Sequence, residues 1–314
     1  MLKELQKNHT LKILWNLIRW LITLTILFLV FRKIRISEIW NAIKSIRIEY
    51  FILAFIACLI QQIITAFRWY FILKKNSIEI SFFKALKVYF ISILFQSFLP
   101  TGLGGDAARF AMIVKKGKGA ESLNSLIIAR MVGFFVLAVF VFTGSFFVEK
   151  EISYSARFWS LLFIIAEILI IVIIKYLIPV LNLKRFIGKR AFLDKIIKTI
   201  LNLNYNLKTS LFLPLLLITF ILQIISMVPF YYIFLAMKIT PSVWKIITAI
   251  PIITLMVTVI PSINGIGARE YFLFFFFKKE FITQSIMAVF SLSLYATFVL
   301  ILIISAILWL TDRD

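Results

Sequence analysis

The sequence predicts an all-α polytopic integral membrane protein. It would have about six full transmembrane helices and two Pro/Gly-broken re-entrant hairpins, arranged in a way that invites an inverted repeat. Three observations predict it. The chain is 62% apolar with a mean hydropathy of +1.02, whereas soluble domains are near half apolar. Apolar stretches of spanning length recur along residues 1–314, with no polar gap long enough for a separate folded domain. Two of these stretches end in short Pro/Gly segments that echo one another.

A spanning helix needs about 20 mostly apolar residues to cross about 30 Å of hydrocarbon. Residues 13–31, 50–73, 122–148, 158–180, 210–237 and 284–310 meet that requirement. The first follows Lys3, Lys7 and Lys12 and has no small-residue cleavage site after it, so it reads as a span or signal anchor. Two stretches, 84–99 and 243–261, are shorter and end in proline.

Basic residues decide the threading, because short Lys/Arg-rich loops stay cytoplasmic. If every stretch crossed, the 175–208 loop, with eight basic residues, would lie outside. If instead 84–116 enters and leaves by the cytoplasmic face, that loop moves inside. A second hairpin, 243–277, then enters from the outer face and both termini are cytoplasmic. The exception is the 32–49 loop, which keeps five basic residues outside. Within 181–208, Phe192/Leu193, Ile196/Ile197 and Ile200/Leu201 recur at helical spacing between lysines. The segment reads as a cytoplasmic amphipathic helix on the anionic inner leaflet, or as a connector packed on the bundle.

The net charge of +21 sits in short loops between spans, which points to an anionic lipid surface and away from nucleic acid. A single His9 in a polar tail and a single Cys58 exclude His-rich metal sites and an intramolecular disulfide. There is no GxSxG, no Walker loop and no GxGxxG after a strand, and no cofactor is expected.

The breaks are the most informative residues. The first reads Leu99-Pro100-Thr101-Gly102-Leu103-Gly104-Gly105-Asp106-Ala107-Ala108-Arg109. The second reads Ile260-Pro261-Ser262-Ile263-Asn264-Gly265-Ile266-Gly267-Ala268-Arg269-Glu270. Together they hold five of the ten glycines. Proline lacks an N–H and glycine opens unusual backbone angles, so each segment should break a helix. Broken backbone at membrane depth survives only when buried or lining a wet cavity. Half-helix N-termini then point at that cavity, as in transporters built from repeats of opposite orientation. The plainer alternative is a pair of surface turns.

Charges within apolar stretches are the remaining candidates, since a charge at the bilayer centre costs at least ~2.5 kcal/mol on insertion scales. Arg109, Arg130 and Arg269 offer planar forks suited to a lipid phosphate, with Arg68 as a fourth. Beside Trp69 and Tyr70, Arg68 could equally snorkel to the headgroups. Asp106 and Glu270 would temper the cluster or meet a cation. Glu167 could pair with Arg130, bind a coupling proton or ion, or stay protonated. Gln61, Gln62 and Gln223 read as helix–helix hydrogen-bonding residues.

At Leu99-Pro100…Gly104-Gly105-Asp106…Arg109, Ala129-Arg130-Met131-Val132-Gly133 and Ile260-Pro261…Gly265…Gly267…Arg269-Glu270, the chain resembles a known family. This is the flippase-like transmembrane region of the lysylphosphatidylglycerol synthases, and the likeness covers roughly 12–310. The resemblance implies a prokaryotic plasma-membrane domain that moves a phospholipid between leaflets. In full-length members a separate soluble domain transfers lysine from aminoacyl-tRNA. The present sequence stops at Asp314, so lysyl transfer would need a separate catalytic subunit. Many relatives carry an acid where Ala129 stands. The expected partner is a membrane phospholipid, anionic or aminoacylated, or a polyprenyl-phosphate lipid. An accessory scaffold for a lipid-modifying enzyme or glycosyltransferase is the non-transport alternative.

Overall fold

The computed structural model describes residues 44, 46–98, 104–113, 119–148, 150–177, 211–260, 265, 267–280 and 284–311. The expected first span at 13–31 and the amphipathic segment at 181–208 lie outside the described residues, as do Pro100, Gly102 and Pro261.

Among the described residues the chain is entirely helical. In order come α1 (Ile48–Lys75), α2 (Phe82–Phe98), α3 (Gly104–Ile113), α4 (Gly119–Gly144) and α5 (Lys150–Val172). α5 runs on into a π-helical turn, Ile173–Leu177. After it come α6 (Phe212–Ala236), α7 (Val243–Val259), α8 (Ala268–Phe277) and α9 (Gln284–Leu310). Five of these, α1, α4, α5, α6 and α9, are long and apolar enough to cross a membrane. With 17 residues each, α2 and α7 reach about 25 Å at ~1.5 Å per residue, short of a full crossing. Proline alone does not end these helices: Pro229 and Pro251 sit inside α6 and α7. α7 stops at the residue pair before Pro261, where proline and two positive-φ glycines, Gly265 (78°) and Gly267 (84°), coincide.

Each short pair folds back on itself. In the first, Ile113 at the end of α3 packs with Ala85 at the start of α2, beside Leu73 and Ile78. In the second, Lys245 near the start of α7 donates to Glu280 just past α8 at 2.7 Å. Both pairs are therefore closed hairpins whose two ends lie at one level.

The two halves of the bundle run in opposite directions. α1 and α6 pack along their length, and Arg47 N–H, before α1, donates to the carbonyl of Ala236 at the end of α6 (2.9 Å). Tyr50 stacks on Tyr232 at 6.4 Å, and Arg68, near the other end of α1, reaches Thr219. The helices are antiparallel. Exchanging α1–α4 for α6–α9 reproduces the packing: α1 meets α6, α4 meets α7 as α9 meets α2, and α4 meets α6 as α9 meets α1. The base of the first hairpin sits by the C-terminal end of α1. That of the second sits by the C-terminal end of α6, where Phe234 and Phe277 lie 4.9 Å apart. Because α1 and α6 are antiparallel, the hairpins enter from opposite ends.

The largest core cluster joins α1, α4, α6, α7, α8 and α9 around Phe234, Phe277 and Phe290. α4 and α7 approach closely at Gly144, where a Cβ would lie 2.4 Å from Thr248 Oγ1. α5 stands outside this symmetry, packed on α4 by a narrow stripe of Ser160, Glu167 and Ile174.

Candidate functional site

Between the two repeats lies a cavity of about 740 Å³. Its wall takes polar side chains from α1, α2, α6, α7 and α9, with Arg130 from α4. α1 gives Cys58, Gln61, Gln62, Thr65 and Arg68 at helical spacing, and α2 gives Tyr89 and Gln96. α6 gives Gln223 and Ser226, α7 gives Thr254 and Thr258, and α9 gives Thr297. The hairpin tips add Asp106 and Arg109 from α3, and Gly265 and Arg269 from the start of α8.

All four arginines singled out by sequence line this one space. Asp106 holds two of them. One of its carboxylate oxygens accepts from Arg109 and the other from Arg130 Nε at 2.5 Å. Arg109 also lies over the rings of Trp69 (5.5 Å) and Tyr89 (5.0 Å), a cation–π arrangement. Arg269 sits 5.8 Å from the Tyr295 ring. Arg68 is the least restrained. Its Nη1 donates to Thr219 Oγ1 at a long 3.4 Å, and its buried Nε has no hydrogen-bond partner. Among the described residues of the lining, four guanidinium groups against one carboxylate leave three positive charges in excess. Such charge is tolerable at this depth only in a polar, water-accessible space.

The structure resolves several alternatives left open by the sequence. Arg68 does not snorkel outward; it points into the cavity and passes over Gly133, whose added Cβ would lie 3.6 Å from Nη1. Gln61, Gln62 and Gln223 all face the cavity, and Gln62 accepts a hydrogen bond from Tyr89 at 3.2 Å within it. Arg130 pairs with Asp106 and not with Glu167.

Two predicted residues lie elsewhere. Glu270 is fully buried behind the wall. Its carboxylate accepts from Gly267 N–H at 2.6 Å and from Tyr295 O–H at 2.7 Å, so it pins the second break. Glu167 is buried on the inner stripe of α5 and does not line the cavity, and its Oε2 has no hydrogen-bond partner. Gly104 and Gly105 begin α3. A Cβ on Gly105 would come within 2.9 Å of Gln96 Oε1, so the glycine lets α3 lie against α2.

Sequence reasoning missed Tyr89, Gln96, Thr219 and Tyr295. Tyr89 and Gln96 were legible as polar positions seven apart on a short apolar helix. Thr219 and Tyr295 carry no local signal, because their partners are 151 and 25 residues away.

A family model described as "Lysylphosphatidylglycerol synthase TM region" matches residues 16–305. No curated protein matches the chain, and no solved structure does.

Proposed function

Since the chain belongs to the lysylphosphatidylglycerol synthase transmembrane-region family, we propose that it moves a phosphate-bearing lipid between the leaflets of the cell membrane. The substrate would be an anionic or aminoacylated phospholipid, or a polyprenyl-phosphate lipid. The observation that carries this reading is the convergence of Arg68, Arg109, Arg130 and Arg269 on one cavity between opposed repeats. Arginine forks bind phosphate oxygens two at a time, and a cavity of about 740 Å³ suits a headgroup while acyl chains stay in the bilayer. Arg68 would receive the phosphate first, because Arg109 and Arg130 are occupied by Asp106. The phosphate would then compete with Asp106 for those two. The hairpins would act as re-entrant gates from opposite faces, with both termini cytoplasmic and a lipid-modifying enzyme or glycosyltransferase as an outside partner.

The test is reconstitution in liposomes carrying an acyl-labelled fluorescent anionic phospholipid in both leaflets. Dithionite bleaches only the label it can reach. Bleaching beyond the outer-leaflet share with the wild-type chain, lost in Arg68→Ala and Arg109→Ala at equal insertion, is the expected result. Bleaching that stops at the outer-leaflet share for the wild-type chain refutes translocation of that lipid. Equal bleaching by all three proteins removes the arginines from the path.

A further inference from the structure

We infer that the translocated lipid is a net-anionic lipid phosphate whose headgroup carries no ammonium group, so that aminoacylated and zwitterionic lipids are poor substrates. This inference rests on the translocator reading and narrows it. The cavity has to match the charge of whatever it carries, because a charge desolvated there finds partners only in the wall. An ammonium group needs a carboxylate with a free lone pair, a ring of carbonyls, or an uncovered electron-rich aromatic face. Among the described residues of the lining, Asp106 is the only carboxylate, and both of its oxygens are already taken by Arg109 and Arg130. The intervening sequences 99–103 and 261–264 contain no acidic residue. Glu270, the one acid beside the second tip, spends both oxygens on Gly267 and Tyr295 behind the wall. The electron-rich rings of Trp69 and Tyr89 are covered by the Arg109 guanidinium, and the other rings of the lining, Phe134, Phe230 and Phe298, offer only the weaker phenyl face, which does not offset a charge excess of three.

Among the described residues, the rest of the polar wall is neutral. At Gln61, Gln62, Gln96 and Gln223 amides stand where a cation-accepting cavity would carry acids. Those amides and the neighbouring hydroxyls satisfy phosphate and hydroxyl oxygens without adding negative charge. A lysyl or ethanolamine headgroup would instead bring its positive charge into a space that already holds three in excess.

The experiment uses the full chain in liposomes with four lipids of identical labelled acyl chain: phosphatidylglycerol, phosphatidic acid, phosphatidylethanolamine and lysyl-phosphatidylglycerol. The expected result is that the first two move at least about tenfold faster than the last two, the equivalent of about 1.4 kcal/mol. Gln223→Glu supplies a new carboxylate that still accepts from Ser226, as Gln223 Oε1 does at 3.2 Å. It should narrow that ratio at least threefold. Because the ratio is taken within one preparation, a misfolded fraction cancels. Equal rates for all four lipids, or fastest movement of the lysyl-lipid, overturns the selectivity and leaves translocation standing. No movement of any lipid by the wild-type chain overturns translocation itself, and the selectivity with it.

Discussion

Gly265→Ala tests whether the second break is held as tightly as its geometry implies. Gly265 sits at φ 78°, where an L side chain is strained by roughly 1–2 kcal/mol. The added Cβ would also lie 2.4 Å from Val257 Cγ1 and 3.3 Å from Arg269 Nη2. Val257 is a β-branched residue near the end of α7, so its methyl cannot simply rotate away; overpacking of this kind costs about 1–3 kcal/mol. The two effects together give about 2–5 kcal/mol. Thermal unfolding of the detergent-solubilised chain, followed by tryptophan fluorescence, should fall by several degrees. Lipid transfer should fall further, because Arg269 is displaced from the cavity. Val257→Ala in the same chain removes the collision but leaves the backbone strain. The double variant should recover about 1–3 kcal/mol relative to Gly265→Ala. If Gly265→Ala melts with the wild-type chain, the tip is not the fixed, crowded turn described here. If Val257→Ala restores nothing, the collision is not the source of the loss.

Three further outcomes follow from the same geometry. Glu270→Gln leaves one of two buried donors, Gly267 N–H or Tyr295 O–H, facing an amide N–H₂. It should cost about 1–3 kcal/mol, measured as denaturation midpoint, and Tyr295→Phe should add little to it. Gly144→Ala drives a Cβ to 2.4 Å from Thr248 Oγ1 and should lower the melting temperature, with Thr248→Ala restoring most of the loss. Lys245→Met strands Glu280 in a largely buried site (side chains 11% and 18% exposed) and should cost up to about 3–5 kcal/mol. Adding Glu280→Leu should return the melting temperature close to the wild-type value.

Hydropathy was enough to read the helical membrane class, because the cost of an unsatisfied backbone in hydrocarbon leaves few architectures open. The two breaks were equally legible. Proline and glycine act through their own φ preferences, so Pro100 to Gly105 and Pro261 to Gly267 announce an interruption with no tertiary information. The likeness between the breaks also foretold paired hairpins, and the antiparallel contact of α1 with α6 gives them opposed directions. What a sequence of apolar helices withholds is rotation about each axis. Along Leu161–Val172 of α5 every residue but Glu167 is apolar, so no amphipathic stripe says which face turns inward.

Arg68, Glu167 and Glu270 divide along that line. Arg68 and Glu167 are single charges in apolar surroundings and Glu270 follows Arg269, and the same desolvation argument applies to each. Arg68 became a cavity residue because α6 brings Thr219 to it and Gly133 leaves room. Glu270 became a backbone clamp because Tyr295 of α9 lies beside it. Glu167 went to the α4 side of α5, away from the cavity. The sequence by itself determined the solvent this chain folds in, where its helices break and which side chains are too costly to face lipid, since each follows from local composition. Only the tertiary structure decided which of those charges meet one another. Arg130 for Asp106, Thr219 for Arg68 and Tyr295 for Glu270 come from other helices of the packed bundle, and the rotation of each helix is fixed by packing rather than by its own residues.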